Sequence, residues 1–246
     1  LIAGGNGQRA IRAGIESGWG MPIDPDAQPN LCLGNEDTHF AESFLERHGI
    51  HATPLAALSV EASSRLKRWS LEDCAQTINQ LQAWDDLHIL TVAAPGENCT
   101  ARMLEMVSDR RRIKVVCTPS LRRVAALLAH CDAFLCNDTG LMHMASAVGT
   151  PVVALFGPTW PGIYLPANGY AHSLGGWRMP CPYRHRTILG PPLCLAVDRC
   201  LIDCGGCIDS ESSDDVAREF YKAICVGRSR NAYEQDYRFS RAKQNA

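Results

Sequence analysis

With 246 residues, the chain suffices for one large domain or for one domain plus part of another, and 46% hydrophobic against 20% charged residues is an ordinary globular composition. A net charge of −2 gives no basic field to hold a nucleic-acid backbone, and the one basic run, Arg110-Arg111-Arg112 with Lys114, reads as a solvated turn. No stretch approaches the ~18 consecutive apolar residues of a membrane span, and the chain opens on Leu1 with no secretory signal, which predicts a fragment of a longer protein.

Residues 1–36 are rich in Gly, Asn, Pro and Asp, with only Ala10 to Ile15 hinting at a short helix. Asp37 is placed to cap a helix ending near Gly49, with Phe40, Phe44 and Leu45 on one face. Pro54 to Val60 reads as a strand, followed by a polar loop. Ser70 then caps a helix, with Asp73 three residues on in a variant capping box and Ala75, Ile78 and Leu81 as the apolar face. Leu87 to Ala93 reads as a strand, Glu97 to Val107 as a helix, Ile113 to Cys117 as a strand, and Ser120 caps a helix through His130. Ala133 to Cys136 is a strand, Leu141 to Val148 a short helix, and Val152 to Phe156 a strand. Five short apolar runs alternating with helices imply βαβ units on a parallel sheet, with right-handed crossovers stacking helices on both faces. The expected fold is α/β, a Rossmann-like doubly wound parallel sheet over about residues 51–165. Beyond Phe156 the rhythm breaks into a Gly-, Pro- and Cys-rich stretch. A last helix is expected from Ser213 to Cys225, with Val216, Phe220 and Ile224 on one stripe, and a frayed polar tail after Gly227.

Ligands of a doubly wound sheet sit outside the carboxyl ends of the strands. That directs attention to Cys136-Asn137-Asp138-Thr139-Gly140-Leu141-Met142-His143, where a buried strand runs into a helix. Asp138 or Thr139 is placed to cap that helix, and Gly140 removes a side chain where a phosphate would approach. The amides of a first helical turn favour an anion, and His143, one turn in, can donate to the same group. The plainer reading of these residues is an ordinary N-cap followed by a core-facing histidine.

The segment continues as a small-residue helix, a strand, and Phe156-Gly157-Pro158-Thr159-Trp160-Pro161. Together these resemble the signature of glycosyltransferase family 9, the ADP-heptose:lipopolysaccharide heptosyltransferases. There an Asp-Thr-Gly-x-x-His element holds the diphosphate and ribose of a sugar nucleotide. The resemblance therefore implicates Asp138, Thr139, Gly140 and His143. The loop Ser63-Ser64-Arg65-Leu66-Lys67-Arg68-Trp69 is similar to the family's phosphate-closing loop, which makes Lys67 a phosphate ligand and Ser63 a hydroxyl donor. Ala62 departs from the paired hydroxyl residues usual in the family. Glu97 falls in register with the family's ribose-reading glutamate, although Ala93 replaces the accompanying glycine; a carboxylate there equally favours a helix N-terminus. Pro119 sits where the family packs adenine.

Of twelve cysteines, Cys32, Cys74, Cys99, Cys117, Cys131, Cys136 and Cys225 are scattered singly and are expected in the core. The other five crowd between Cys181 and Cys207. Cys204-Gly205-Gly206-Cys207 makes half of a tetrahedral site that Cys194 and Cys200 can complete, so these four are candidate ligands of a structural Zn or Fe. Reduced thiols or a disulfide are the alternatives.

The resemblance implies the nucleotide-binding, C-terminal half of a GT-B enzyme. Residues 1–50 would be a remnant of the acceptor domain and interdomain connection. Residues 51–212 would form the donor domain with a Cys-rich loop at 181–207, and 213–246 a terminal helix and tail. The implied reaction is inverting transfer of a sugar, heptose from ADP-heptose, to a lipopolysaccharide-core or related glycan acceptor. It needs no catalytic cofactor, and it takes its general base from outside this chain. The implied setting is cytoplasmic, against the inner face of the inner membrane, without nucleic acid. A nucleotide-sugar binding module, an inactive partner subunit and an epimerase-type relative are the alternatives.

Overall fold

The computed structural model describes residues 17, 18, 20, 29–50, 54–167, 169–176, 181–182, 192–202 and 207–244, with side chains as far as 232. The helix expected at Ala10 to Ile15 lies outside those residues. Six strands form one all-parallel sheet: β1 (Leu55–Ser59), β2 (His88–Ala93), β3 (Ile113–Cys117), β4 (Ala133–Asn137), β5 (Val152–Leu155) and β6 (Ala171–Leu174). Their order is β3-β2-β1-β4-β5-β6, so the direction of winding reverses between β1 and β4.

Burial on both faces explains why the central strands carry nearly continuous apolar runs: every residue of β1, β4 and β5 is buried. Alternation along each strand then divides the core in two. Leu58, Ile89, Leu135 and Val153 face one helical layer, where α2 (Leu71–Trp84), α3 (Cys99–Glu105) and α8 (Ser213–Gln244) contribute Ile78, Met103 and Phe220. Ala57, Leu90, Phe134 and Ala154 face the other, with Ala41 of α1 (Asn35–Arg47), Leu127 of α4 (Leu121–Ala129) and Met142 of α5 (Gly140–Ala147). Two short helices, α6 (Pro161–Tyr164) and α7 (Leu193–Ala196), and 3-10 turns at Arg65–Lys67 and Cys207–Ser210 complete the described elements.

The expected serine caps are present. Ser70 Oγ accepts from the Asp73 amide at 3.2 Å and Ser120 Oγ from the Arg123 amide at 3.4 Å, each satisfying a donor the helix cannot. Other expectations are corrected. The first helix starts from Gly34, and Asp37 sits inside it, accepting the Gly34 amide at 3.1 Å. The sheet has a sixth strand, β6, hidden from a hydrophobicity reading because three of its four residues are only half-buried at the sheet edge. The terminal helix does not stop near Cys225 but runs to Gln244, through a largely polar sequence in which Arg is the commonest residue. Tyr221 and Arg228 of α8 both donate to Asp85, and Asn231 donates to Asp132, tying the helix to the sheet layer. Of the seven single cysteines expected in the core, Cys74, Cys99, Cys131 and Cys136 are buried, whereas Cys32, Cys117 and Cys225 are exposed. Among the described residues, no helix is long and apolar enough to cross a membrane.

Candidate functional site

At the reversal of winding the loops after β1 and β4 diverge to opposite sides of the sheet, and the gap between them is a cleft. Asn137, the last residue of β4 and almost wholly buried, holds that gap in shape. Its Oδ1 accepts from the Trp69 amide at 3.1 Å, and its Nδ2 donates to the Val60 carbonyl at 3.0 Å and towards the Glu61 carbonyl at 3.4 Å. One side chain thus fixes both ends of the loop that carries Ser63 and Lys67. Trp69, 1% exposed, anchors the loop's exit in the core.

Inside that frame Lys67 and Asp138 meet. Lys67 Nζ lies 2.7 Å from Asp138 Oδ2, which also accepts from Thr159 Oγ1 at 2.8 Å. Asp138 and Thr159 are buried, and Lys67 retains 19% exposure, so the ammonium is held at the wall of the site with part of its surface open. Gly157 makes this approach possible: a Cβ there would stand 2.6 Å from the Leu66 carbonyl oxygen, so only glycine lets the loop after β5 lie against the Lys67 turn.

Thr139 is the N-cap of α5 by position, yet its hydroxyl makes no capping bond and is buried without a partner among the described residues. Next to it, Gly140 is exposed, and a Cβ there would meet nothing within 4 Å. The space in front of the helix's first turn is therefore open. His143 lies one turn on and is solvent-exposed, which excludes the core-facing alternative. Protein crowding one side of its ring pushes the imidazole below its ordinary pKa, with the Asp138 carboxylate pulling the other way.

A cleft of about 260 Å³ opens beside these residues, lined by Ser59, Glu61, Ser63, Glu97, Thr139 and Leu141 among others. Three expected site residues, Ser63, Glu97 and Thr139, therefore share one cavity. Lys67, Asp138, Gly140 and His143 are not among its lining residues: the ion pair stands next in sequence to Thr139, and Gly140 and His143 continue along the helix. Glu97 lies in an exposed turn just ahead of α3, whose N-cap is Asn98. Pro119 is exposed beyond the end of β3.

The cysteines of the candidate metal site stand apart from this cleft's lining. Cys194 is buried, which pushes its thiol up, and Cys181 and Cys200 add to that in the same direction. Among the described residues Cys194, Cys200 and Cys207 do not bring three ligand atoms within 4.8 Å of one another, and Cys204 lies outside the described residues. The described cluster that does so is Glu61, Glu97 and Cys99.

The open first turn of α5, the Lys67–Asp138 ion pair and the cleft carrying Glu61 and Glu97 gather around the reversal of winding. The sequence pattern of glycosyltransferase family 9 (heptosyltransferase) matches residues 9–188. This chain belongs to that family. It is 50% identical over 52 residues to lipooligosaccharide heptosyltransferase 2 of Haemophilus influenzae, an alignment covering 21% of this chain and 15% of that enzyme. To the lipopolysaccharide core heptosyltransferase OpsX of the same organism it is 27% identical over 145 residues, 54% of this chain and 38% of the relative. The solved ADP-heptose heptosyltransferase II of E. coli superposes with a TM-score of 0.62 at 18% identity, covering 83% of this chain and 56% of the enzyme. The family fold is thus present in a chain that spans little more than half the length of that enzyme.

Three residues of the family member's site were not assigned from sequence. Asn137 and Thr159 lie within motifs quoted above, but their roles depend on partners 68 and 21 positions away. Glu61 carries no signal beyond being the first polar residue after a strand.

Proposed function

We propose that this chain forms the donor side of an inverting heptosyltransferase, binding a nucleoside-diphosphate sugar of the ADP-heptose kind for transfer to a lipopolysaccharide-core or related glycan hydroxyl. The observation that carries the proposal is the Lys67–Asp138–Thr159 cluster set against the unfilled start of α5. In the reaction, the acceptor oxygen attacks C1 of the donor sugar as the bond from C1 to the diphosphate oxygen breaks. The acceptor's proton passes to a general base that lies outside the residues assigned here. This chain's part is electrostatic, since negative charge grows on the departing diphosphate. Lys67, through the donors that Asp138 leaves free, the Thr139 hydroxyl, the first-turn amides and His143 are arranged to receive it. Glu97 accepts from the nucleoside's hydroxyls, and Ser63 adds a donor at the cleft edge.

Two of the relatives are named for lipopolysaccharide or lipooligosaccharide heptose transfer and the solved enzyme for ADP-heptose, which supports adenine and heptose over other donors. The test is calorimetric titration of the chain with ADP, UDP and GDP, alongside Lys67→Ala. ADP is expected to bind most tightly, and loss of the ammonium to weaken it by about tenfold or more, as for a charge-assisted hydrogen bond of ~1.5–3 kcal/mol. Preference for UDP, or an unchanged ADP affinity in Lys67→Ala, would refute the donor reading. Transfer itself is measured as glycosylated acceptor formed with and without the acceptor glycan.

A further inference from the structure

One wall of the cleft remains without a role in this scheme. Glu61 lies two residues beyond β1 and is only 9% exposed. Its Oε1 accepts from the amide and the hydroxyl of Thr100, at 3.3 and 3.2 Å, which fixes the carboxyl group's orientation. Its Oε2 is screened from water and, among the described residues, accepts no N–H or O–H hydrogen bond, with only the weakly donating Cys99 thiol beside the carboxylate. A carboxylate oxygen can only accept, so what completes Glu61 must be a donor. The position is costly unless a donor arrives, because a buried charged oxygen loses its hydration without replacement.

The surroundings say which kind of donor. Ligand atoms of Glu61, Glu97 and Cys99 all fall within 4.8 Å of one another, so both carboxylates can reach one small group. Ser63 and Thr139 line the same cavity, and the Thr139 hydroxyl is itself buried without a partner among the described residues. A metal ion suits this set poorly. It would have to share two hard carboxylates with the soft sulfur of Cys99, a mixed donor set that matches neither the oxygen-seeking nor the thiolate-seeking ions. The cavity of about 260 Å³ is also far larger than one ion requires.

We infer that Glu61 is a second hydroxyl-reading carboxylate of the cleft, acting with Glu97 to accept from the two hydroxyls of one vicinal diol, the ribose of a nucleoside diphosphate. The inference rests on the donor-site reading and deepens it: Glu61 makes the site selective for ribonucleotides over deoxyribonucleotides. A polar group built to meet a hydroxyl penalises the analogue that lacks it, because the pocket's own atom is then left unpaired.

The experiment is calorimetric titration of the wild-type chain and Glu61→Gln with ADP, 2′-deoxy-ADP, 3′-deoxy-ADP and inorganic pyrophosphate, each with and without EDTA. The wild type is expected to prefer ADP over at least one deoxy analogue by about tenfold or more. Glu61→Gln keeps an acceptor for Thr100 but replaces the charged oxygen by an amide, so that preference should shrink several-fold while pyrophosphate, which has no ribose, binds as before. Wild-type ratios below about twofold for both analogues overturn the inference without recourse to any variant. So does an equal loss of pyrophosphate affinity in Glu61→Gln, which would make the residue structural, or loss of ADP binding in EDTA, which would make the cluster a cation site. If ADP binds in a Lys67-dependent manner but the ribose hydroxyls go unread, the role of Glu61 fails and the donor site stands. If ADP does not bind at all, both fail.

Discussion

Truncating Asn137 to alanine tests whether the site's geometry is set by one buried amide. The substitution removes the acceptor for the Trp69 amide and the donor for the Val60 carbonyl, both at about the ideal hydrogen-bond length, in a position only 2% exposed. Water cannot easily replace the lost partners in a packed strand end, so two backbone groups are left unsatisfied. At about 1–3 kcal/mol for each such group, and allowing some relaxation, the expected loss of stability is about 2–4 kcal/mol. For a chain of this size that corresponds to a fall in Tm of roughly 4–16 °C. Because the same amide clamps both ends of the segment carrying Ser63 and Lys67, nucleotide affinity should fall with stability even though Asn137 is not proposed to touch the ligand. Urea unfolding followed by tryptophan fluorescence reads the first effect, and ADP titration well below the melting temperature reads the second. A stability loss under about 1 kcal/mol would refute the reasoning, because it would mean that water or a shifted backbone satisfies both groups at no cost. Loss of stability with unchanged ADP affinity would separate the clamp from the site.

Nucleotide binding should strengthen as pH falls from about 7.5 towards 6. In the ligand-free protein desolvation holds the His143 imidazole below its ordinary pKa and so favours the neutral ring, whereas a bound diphosphate favours the charged one. Binding then takes up a proton, seen as a calorimetric heat that changes with the ionisation enthalpy of the buffer. A flat profile, or a slope that persists in His143→Ala, would remove the histidine from the site. The same shift carries a stability consequence. A histidine whose folded pKa lies below its unfolded value binds fewer protons when folded, so stability rises as pH climbs from that folded pKa towards about 6.5 and is lost on the acid side. Gly157→Ala should displace the Lys67 turn, since its Cβ would stand 2.6 Å from the Leu66 carbonyl oxygen; overpacking of this kind costs about 1–3 kcal/mol. Weakened ADP binding with an intact fold by circular dichroism is the expected result, and wild-type affinity would show that the loop yields freely.

The sheet was legible in the sequence wherever burial is two-sided. β1, β4 and β5 are covered by helices on both faces, so their residues are apolar throughout and stand out from the polar loops around them. β6 is an edge strand with half-buried His172 and Ser173, which erases the apolar run that identifies its neighbours. The end of the terminal helix is hidden for a related reason: beyond Cys225 the sequence offers few aliphatic residues from which a boundary could be read, while helix propensity alone is a weak guide. The candidate site divides along the same line. Asp138, Thr139, Gly140 and His143 fall within six consecutive positions, so their meeting at one helix start follows from local structure alone. That Lys67 reaches Asp138 across 71 positions, or that Asn137 spans from β4 to Trp69, depends on β1 and β4 being adjacent strands, a fact of topology that no local pattern contains. The resemblance of the loop singles out Lys67; it does not single out Glu61, Asn137 or Thr159, whose neighbours become visible only once the strands lie side by side. The reversal of winding between β1 and β4 is therefore the fact that turns separate motifs into one cleft, and a register shift of either strand would scatter the Lys67, Asn137 and Asp138 contacts together.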